Sequence, residues 1–274
     1  MPDLSTRPRR VLFAGVALAA LGLTGCAAKT GDAVSAAAQS TSATAAPSSS
    51  AAGTITVLAA ASLQEAFTTI GADFEKAHPG STVTFSFGPS SGLATQIVNG
   101  SPADVFAAAS VKTMTTVTDA KAAGSSTPFA VNSMEIAVPP SNPAHIAALA
   151  DLARSGVKVA VCQADVPCGA AAATVLTTAK LNVKPISEEA DVKSVLTKVE
   201  LGEVDAGVVY VTDVKAAGSK VSGIAIPTAQ NTTTTYPIAA LTKAPNPALA
   251  RAFVGYVLSA DAQKVLHDAG FAAP

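Results

Sequence analysis

The sequence has no tryptophan, three tyrosines and nine phenylalanines, and charged residues make up only 14% of it. So few aromatic rings disfavour a platform for stacking sugars. The three histidines, His78, His145 and His267, are scattered, and no His or Cys pair has the spacing of metal ligands. No protein–metal site is therefore expected. A basic cluster is also missing. From Gly53 onward there are 14 Lys and Arg against 17 Asp and Glu, a net charge of −3. That balance disfavours nucleic acid as a partner. The one sustained apolar run, Val11–Leu23, falls short of the roughly 20 residues that span a bilayer.

That run has a different meaning in context. Arg7, Arg9 and Arg10 precede it, as in the positively charged start of a secretory signal. It ends in Leu23-Thr24-Gly25-Cys26, which resembles the lipobox of bacterial lipoproteins. Residues 1–26 are thus expected to form a lipoprotein signal peptide, with Cys26 becoming the lipidated first residue. Residues 27–52 are nearly all Ala, Ser, Thr, Gly and Pro. They lack the large apolar side chains of a core and are expected to form a disordered tether, with a root-mean-square reach of roughly 25–30 Å. The chain is accordingly expected outside the cytoplasm, anchored by lipid to the outer face of the cell membrane. With Cys26 committed to lipid, Cys162 and Cys168 are left as a local disulfide pair in an exported protein.

The remaining chain alternates strand and helix patterns. Thr54–Ala60, Thr82–Phe87 and Asp104–Ala108 read as strands, followed by helical patterns over Leu63–Lys76, Leu93–Gly100 and Val111–Ala123. After a long strand over Phe129–Val138 the order restarts. It gives strands at Val157–Cys162, Ala206–Tyr210 and Ile224–Ile226, and helices at Gly169–Lys180 and Val192–Leu201. A last strand, Tyr236–Leu241, leads into helices Pro247–Leu258 and Ala260–Ala269. This order predicts an α/β protein of two lobes, each with a mainly parallel sheet, joined by crossover strands near 130–138 and 235–241. The expected division is 53–130 for the first part of lobe one, 131–239 for lobe two, and 240–274 for a return to lobe one.

In such sheets ligands sit beyond the carboxyl ends of strands, against helix N-termini. Ser62 lies at the first such joint. Ser62-Leu63-Gln64-Glu65 reads as a capping box, yet a capping hydroxyl can still donate its proton to an anion. Ser90 and Ser91 follow a strand in Gly88-Pro89-Ser90-Ser91-Gly92, which also matches the G-x-S-x-G elbow of serine hydrolases. A triad would need a histidine after the serine. Only His145 and His267 follow, and no oxyanion-loop motif is present. Pro167-Cys168-Gly169 opens an alanine-rich helix. Asp191 is the expected N-cap of the next helix, with Val192 in its first turn, and Tyr210 ends the strand Ala206–Tyr210. These joints carry neutral donors and, apart from Lys193, no basic side chain. That suits a fully ionised oxyanion, which brings only acceptors.

These stretches together resemble the molybdate-binding subunit of ABC importers, of the type II periplasmic-binding-protein family. The resemblance runs over Gly53–Pro274. It is carried by Ala59-Ala60-Ala61-Ser62-Leu63, Ser90-Ser91-Gly92-Leu93-Ala94, Pro102-Ala103-Asp104-Val105-Phe106, Asn132-Ser133-Met134, Val166-Pro167-Cys168-Gly169, Asp191-Val192 and Gly207–Asp213. It implies binding without chemistry, a molybdate or tungstate ligand and no cofactor. The implied partners are a membrane permease with its ATPase, and the protein itself is expected to be a monomer. The oxyanion would be held by Ser62, Ser90, Cys168, Val192 and Tyr210, with no direct protein–metal bond. Cys168 stands where the family usually has alanine, and Pro89 and Gly92 where Ser and Thr often occur, so Ser91 could assist or replace Ser90. A receptor for sulfate or another tetrahedral oxyanion is the nearest alternative, and a serine hydrolase built on Gly88–Gly92 the more distant one.

Overall fold

The computed structural model describes residues 52–274. The expected signal peptide, the lipidated Cys26 and all but the last residue of the expected tether lie outside the described residues.

The chain begins with β1 (Gly53–Ala60), α1 (Gln64–Ala77), β2 (Ser81–Gly88), α2 (Ser90–Val98), β3 (Val105–Ala107) and α3 (Val111–Asp119). β1 pairs in parallel with both β2 and β3. It is covered on both faces, and so reads as a near-continuous apolar run rather than an alternation. β2 lies at the sheet edge and does alternate, its outward residues exposed. β4 (Thr127–Val138) then leaves for the second lobe, which holds β5 (Val159–Cys162), α4 (Pro167–Thr178), β6 (Ser187–Glu189), α5 (Val192–Glu200), β7 (Ala206–Tyr210), α6 (Val211–Ala217) and β8 (Ser222–Ala225). β9 (Thr233–Ala240) returns, and α7 (Pro247–Val257) and α8 (Ala260–Asp268) close the chain.

The strand order is β2-β1-β3-β9-β4-β7-β5-β6, with β8 also paired to β4. β4 belongs to both lobes. Its residues Thr127–Ser133 pair antiparallel with β9, and from Met134 onward it pairs with β7 and β8. The two long antiparallel strands β4 and β9 are therefore the covalent links on which the lobes are hung. Tyr236 and Ile238 of β9 are already buried in the first lobe's core, beside Phe67, Phe129 and Phe253.

The two cores differ in kind. The first is aromatic: Phe67, Phe74, Phe85 and Phe253 meet with ring centroids 5.3–6.2 Å apart. The second, from Met134 to Ile226, holds Tyr210 as its one aromatic residue and is otherwise built of Val, Ala, Ile, Leu and Met134 with the Cys162–Cys168 disulfide. Several expected bounds shift. A short 3-10 turn over Ala61–Leu63 precedes α1, so the helix starts at Gln64. α3 ends at Asp119 rather than Ala123, and α4 starts at Pro167 rather than Gly169. α6 and β6 were not expected. α6 follows β7 without a loop, so no turn residues announce it, and β6 is a three-residue strand rich in glutamate.

Candidate functional site

The parallel strands of both sheets end at the cleft between the lobes. β1 delivers Ser62, β2 delivers Ser90 at the start of α2, and β7 ends at Tyr210. From the second lobe α4 and α5 point their N-termini at the same place, with Cys168 and Val192 in their first turns. All five sequence-selected residues line one small cavity of about 20 Å³. This is far below the roughly 300–1,000 Å³ usual for pockets that take drug-sized molecules, and it suits a small inorganic ion.

Ser90 is 1% exposed, and its Oγ accepts from the Ala109 N–H at 3.0 Å. One of its two lone pairs is thus used inside the protein, and its proton remains to be given away. Ser91 does not line the cavity, so the register of the loop places Ser90 there. Ser62 Oγ lies 2.9 Å from the Tyr236 hydroxyl. The expected capping box does not form: α1 has no side-chain cap, because the 3-10 turn moves its N-cap to Leu63. Tyr210 is 1% exposed, and its hydroxyl has no hydrogen-bond partner among the described residues. Burial pushes this phenol well above its ordinary pKa, and the neighbouring Tyr236 adds to the shift. It therefore keeps its proton, which is available to a guest in the cavity.

Helix ends supply the rest. α4 has Pro167 at its start, so the first amides it can offer are those of Cys168 and Gly169. The disulfide from Cys162 to Cys168 closes the loop that carries them. Gly169 is required there: a Cβ would fall 1.8 Å from the Gln163 carbonyl oxygen. Asp191 caps α5 as expected, its Oδ1 accepting from the Ser194 N–H at 3.0 Å. The amides of Val192 and Lys193 precede the first intrahelical bond and remain available.

The charges around the site were not anticipated. Lys193 Nζ lies 2.8 Å from Glu65 Oε2, on the first lobe, and 3.1 Å from Asp213 Oδ1, on α6. Among the described residues this is the one ion pair that joins the lobes. It neutralises Lys193, the residue after Val192, and among the described residues no basic side chain lines the cavity itself. Asp213 is fully buried, and its Oδ2 accepts from the Tyr210 N–H at 3.1 Å. Burial raises its pKa to about 6, against the opposing pull of Lys193. A buried acid inside Tyr-Val-Thr-Asp was the sequence signal for this group, but nothing in the sequence pairs it with Lys193. Tyr236 and Asn132, behind Ser62, were likewise not singled out as site residues.

The hydrolase alternative loses its machinery. Ser90 Oγ is bonded to a backbone amide, and the His267 side chain is 85% exposed on α8, beside Asp268. His145 lies in the exposed turn after β4. No group of His, Cys, Asp and Glu that could hold a metal ion occurs among the described residues.

Comparison with known proteins identifies the family. The sequence signature described as "Bacterial extracellular solute-binding protein" matches residues 55–272. The molybdate-binding protein ModA of Mycobacterium tuberculosis is 45% identical over 221 residues, covering 80% of this chain and 85% of the relative. The molybdate-binding protein ModA of Haemophilus influenzae is 33% identical, with 80% and 90% covered. Among solved structures, the periplasmic molybdate-binding protein of Azotobacter vinelandii superposes with a TM-score of 0.72 at 22% identity, over 80% of this chain and 99% of that one.

Proposed function

The chain belongs to the bacterial extracellular solute-binding proteins, in the group of molybdate-binding relatives, and from that premise we propose that it captures molybdate, and tungstate with it, for an ABC importer. It is a binding protein and not an enzyme. It works outside the cytoplasm and hands its ligand to a membrane permease driven by an ATPase. Molybdate is its cargo rather than a cofactor.

The observation that carries this reading is the unpartnered Tyr210 hydroxyl, buried in a cavity lined from both lobes by hydrogen donors. Ser62 and Ser90 donate from the first lobe. The amides of Cys168 and Val192 and the Tyr210 phenol donate from the second. A tetrahedral dianion presents acceptors on every side, so it can bond both lobes at once and stabilise their closure. Burying it without a countercharge costs several kcal/mol. Charge-assisted hydrogen bonds worth about 1.5–3 kcal/mol each offset that cost, helped by the partial positive charge at the starts of α2, α4 and α5. Sulfate has the same charge and shape with shorter bonds, so the fit of the cavity decides between the two.

Calorimetric titration with molybdate, tungstate, sulfate and phosphate tests the reading. Tight binding of the first two and weak binding of the others is expected. Absence of heat with molybdate, or tighter binding of sulfate, would overturn it. Lipid attachment at Cys26 is a separate part of the proposal, supported by Leu23-Thr24-Gly25-Cys26 after the apolar run. Metabolic labelling with a fatty acid should mark the wild type and not a Cys26→Ala variant.

A further inference from the structure

The proposed contacts need Ser62 to give its proton to the ligand, yet a hydroxyl can equally offer a lone pair. What decides is the buried polar chain behind it. Ser62 Oγ meets the Tyr236 hydroxyl at 2.9 Å, and the Asn132 side-chain amide meets that same hydroxyl at 3.4 Å. Asn132 Nδ2 also donates to Thr212 Oγ1 at 2.8 Å. The amide cannot be reversed without loss, because Asn132 Oδ1 accepts from the Ser133 N–H at 3.0 Å. Its NH2 group therefore faces Tyr236 and has only protons to offer. The Tyr236 oxygen must accept, and its one proton is left for Ser62. Ser62, having accepted, has its own proton left for the cavity. Tyr236 and Asn132 are 0% and 2% exposed, so water does not compete for these bonds.

We propose that Tyr236, oriented by Asn132, is a specificity-determining positioning residue that biases Ser62 toward giving its proton to the ligand, so that the site discriminates against oxyanions carrying a proton. This rests on the molybdate reading above. Asn132 lies on β4 and Tyr236 on β9, the two strands that link the lobes, and Thr212 lies on α6 of the second lobe. The proton polarity of a first-lobe contact is thus set from the hinge. Molybdate near neutral pH brings no proton. Hydrogen phosphate brings one, which would meet the Ser62 O–H head on.

The test is a double-mutant cycle by calorimetry at pH 8, on the wild type, Ser62→Ala, Tyr236→Phe and the double variant. Phosphate affinity is read by displacement of molybdate. Tyr236→Phe should lose about tenfold in molybdate affinity. Its molybdate-to-phosphate ratio should narrow, because Ser62 is then free to turn and accept. The double variant should bind no more weakly than Ser62→Ala alone, because Tyr236 acts through Ser62. Additive losses or an unchanged ratio would overturn the proposal. Thermal melting reports whether Tyr236→Phe folds. If it does not, Asn132→Ala, which keeps Tyr236 but releases its direction, should narrow the ratio the same way, and an unchanged ratio there is equally fatal. A wild-type protein that ignores molybdate sinks the underlying reading first, so the two failures are distinct.

Discussion

At the scale of single residues the site is an exercise in leftover protons. Ser90 uses one lone pair on Ala109 N–H, and Tyr210 has a buried hydroxyl with nothing to bond. Ser90→Ala should lower molybdate affinity by about 10- to 150-fold, the range of one charge-assisted hydrogen bond; an unchanged calorimetric affinity would remove Ser90 from the contacts. Tyr210→Phe carries a sharper expectation, because the unpaired hydroxyl costs the ligand-free protein its desolvation. This variant should bind less tightly yet be more stable without ligand, by about 1 kcal/mol. Chemical denaturation of the ligand-free protein checks it, and a loss of stability would mean that the phenol is satisfied within the protein.

At the scale of elements, helix starts do what basic side chains would do elsewhere. α2, α4 and α5 each bring their first turn to the cavity wall, and the disulfide closes the loop at one of these ends. Replacing Cys162 and Cys168 together by serine should cost about 2 kcal/mol of stability, the loop-closure value for so short a ring. It should also weaken molybdate binding several-fold by loosening the loop that presents the Cys168 amide. Thermal melts and titrations with and without reductant measure both. The α1 start is the instructive contrast. The motif Ser62-x-x-Glu65 has the composition of a capping box, but Glu65 is drawn away to Lys193 and Ser62 to Tyr236. Tertiary partners here override the local motif, one of them through a buried bond.

At the scale of the molecule, the Glu65–Lys193–Asp213 group ties closure to pH. Lys193 is pulled down by burial, but the charges of Asp213 and Glu65 outweigh this and leave its pKa raised. Its contribution is present through neutral pH and is lost only when pH rises past the ordinary lysine range. Asp213 has the opposite character. Its folded pKa of about 6 lies above the ordinary carboxylate value of 3.8, so the folded state holds a proton that the unfolded state has released. Between those values stability falls as pH rises. The wild type should therefore gain stability relative to Asp213→Asn as pH is lowered from 7 toward 4, which melting curves of the two proteins across that range would display; a constant difference refutes the assignment. Glu65→Gln breaks the link between lobes. Half of the Glu65 side chain is exposed, so the expected loss in molybdate affinity is no more than about fivefold, appearing as faster release.

The sequence by itself determined the two-lobed α/β plan, because strand and helix periodicities and their order are local properties written in apolar spacing. It also determined which joints could meet an anion, because small polar residues and helix-start signals such as Pro167 and Asp191 stand beside each strand end. Only the tertiary structure decided that Ser90 rather than Ser91 enters the cavity, since one residue of rotation at a helix start exchanges an inward side chain for an outward one. It alone decided that Lys193 is spent on Glu65 and Asp213, and that Asn132 and Tyr236 stand behind Ser62. Those partners lie 128, 20, 104 and 174 residues apart along the chain, and no local pattern can encode a bond between elements that meet only in the folded chain.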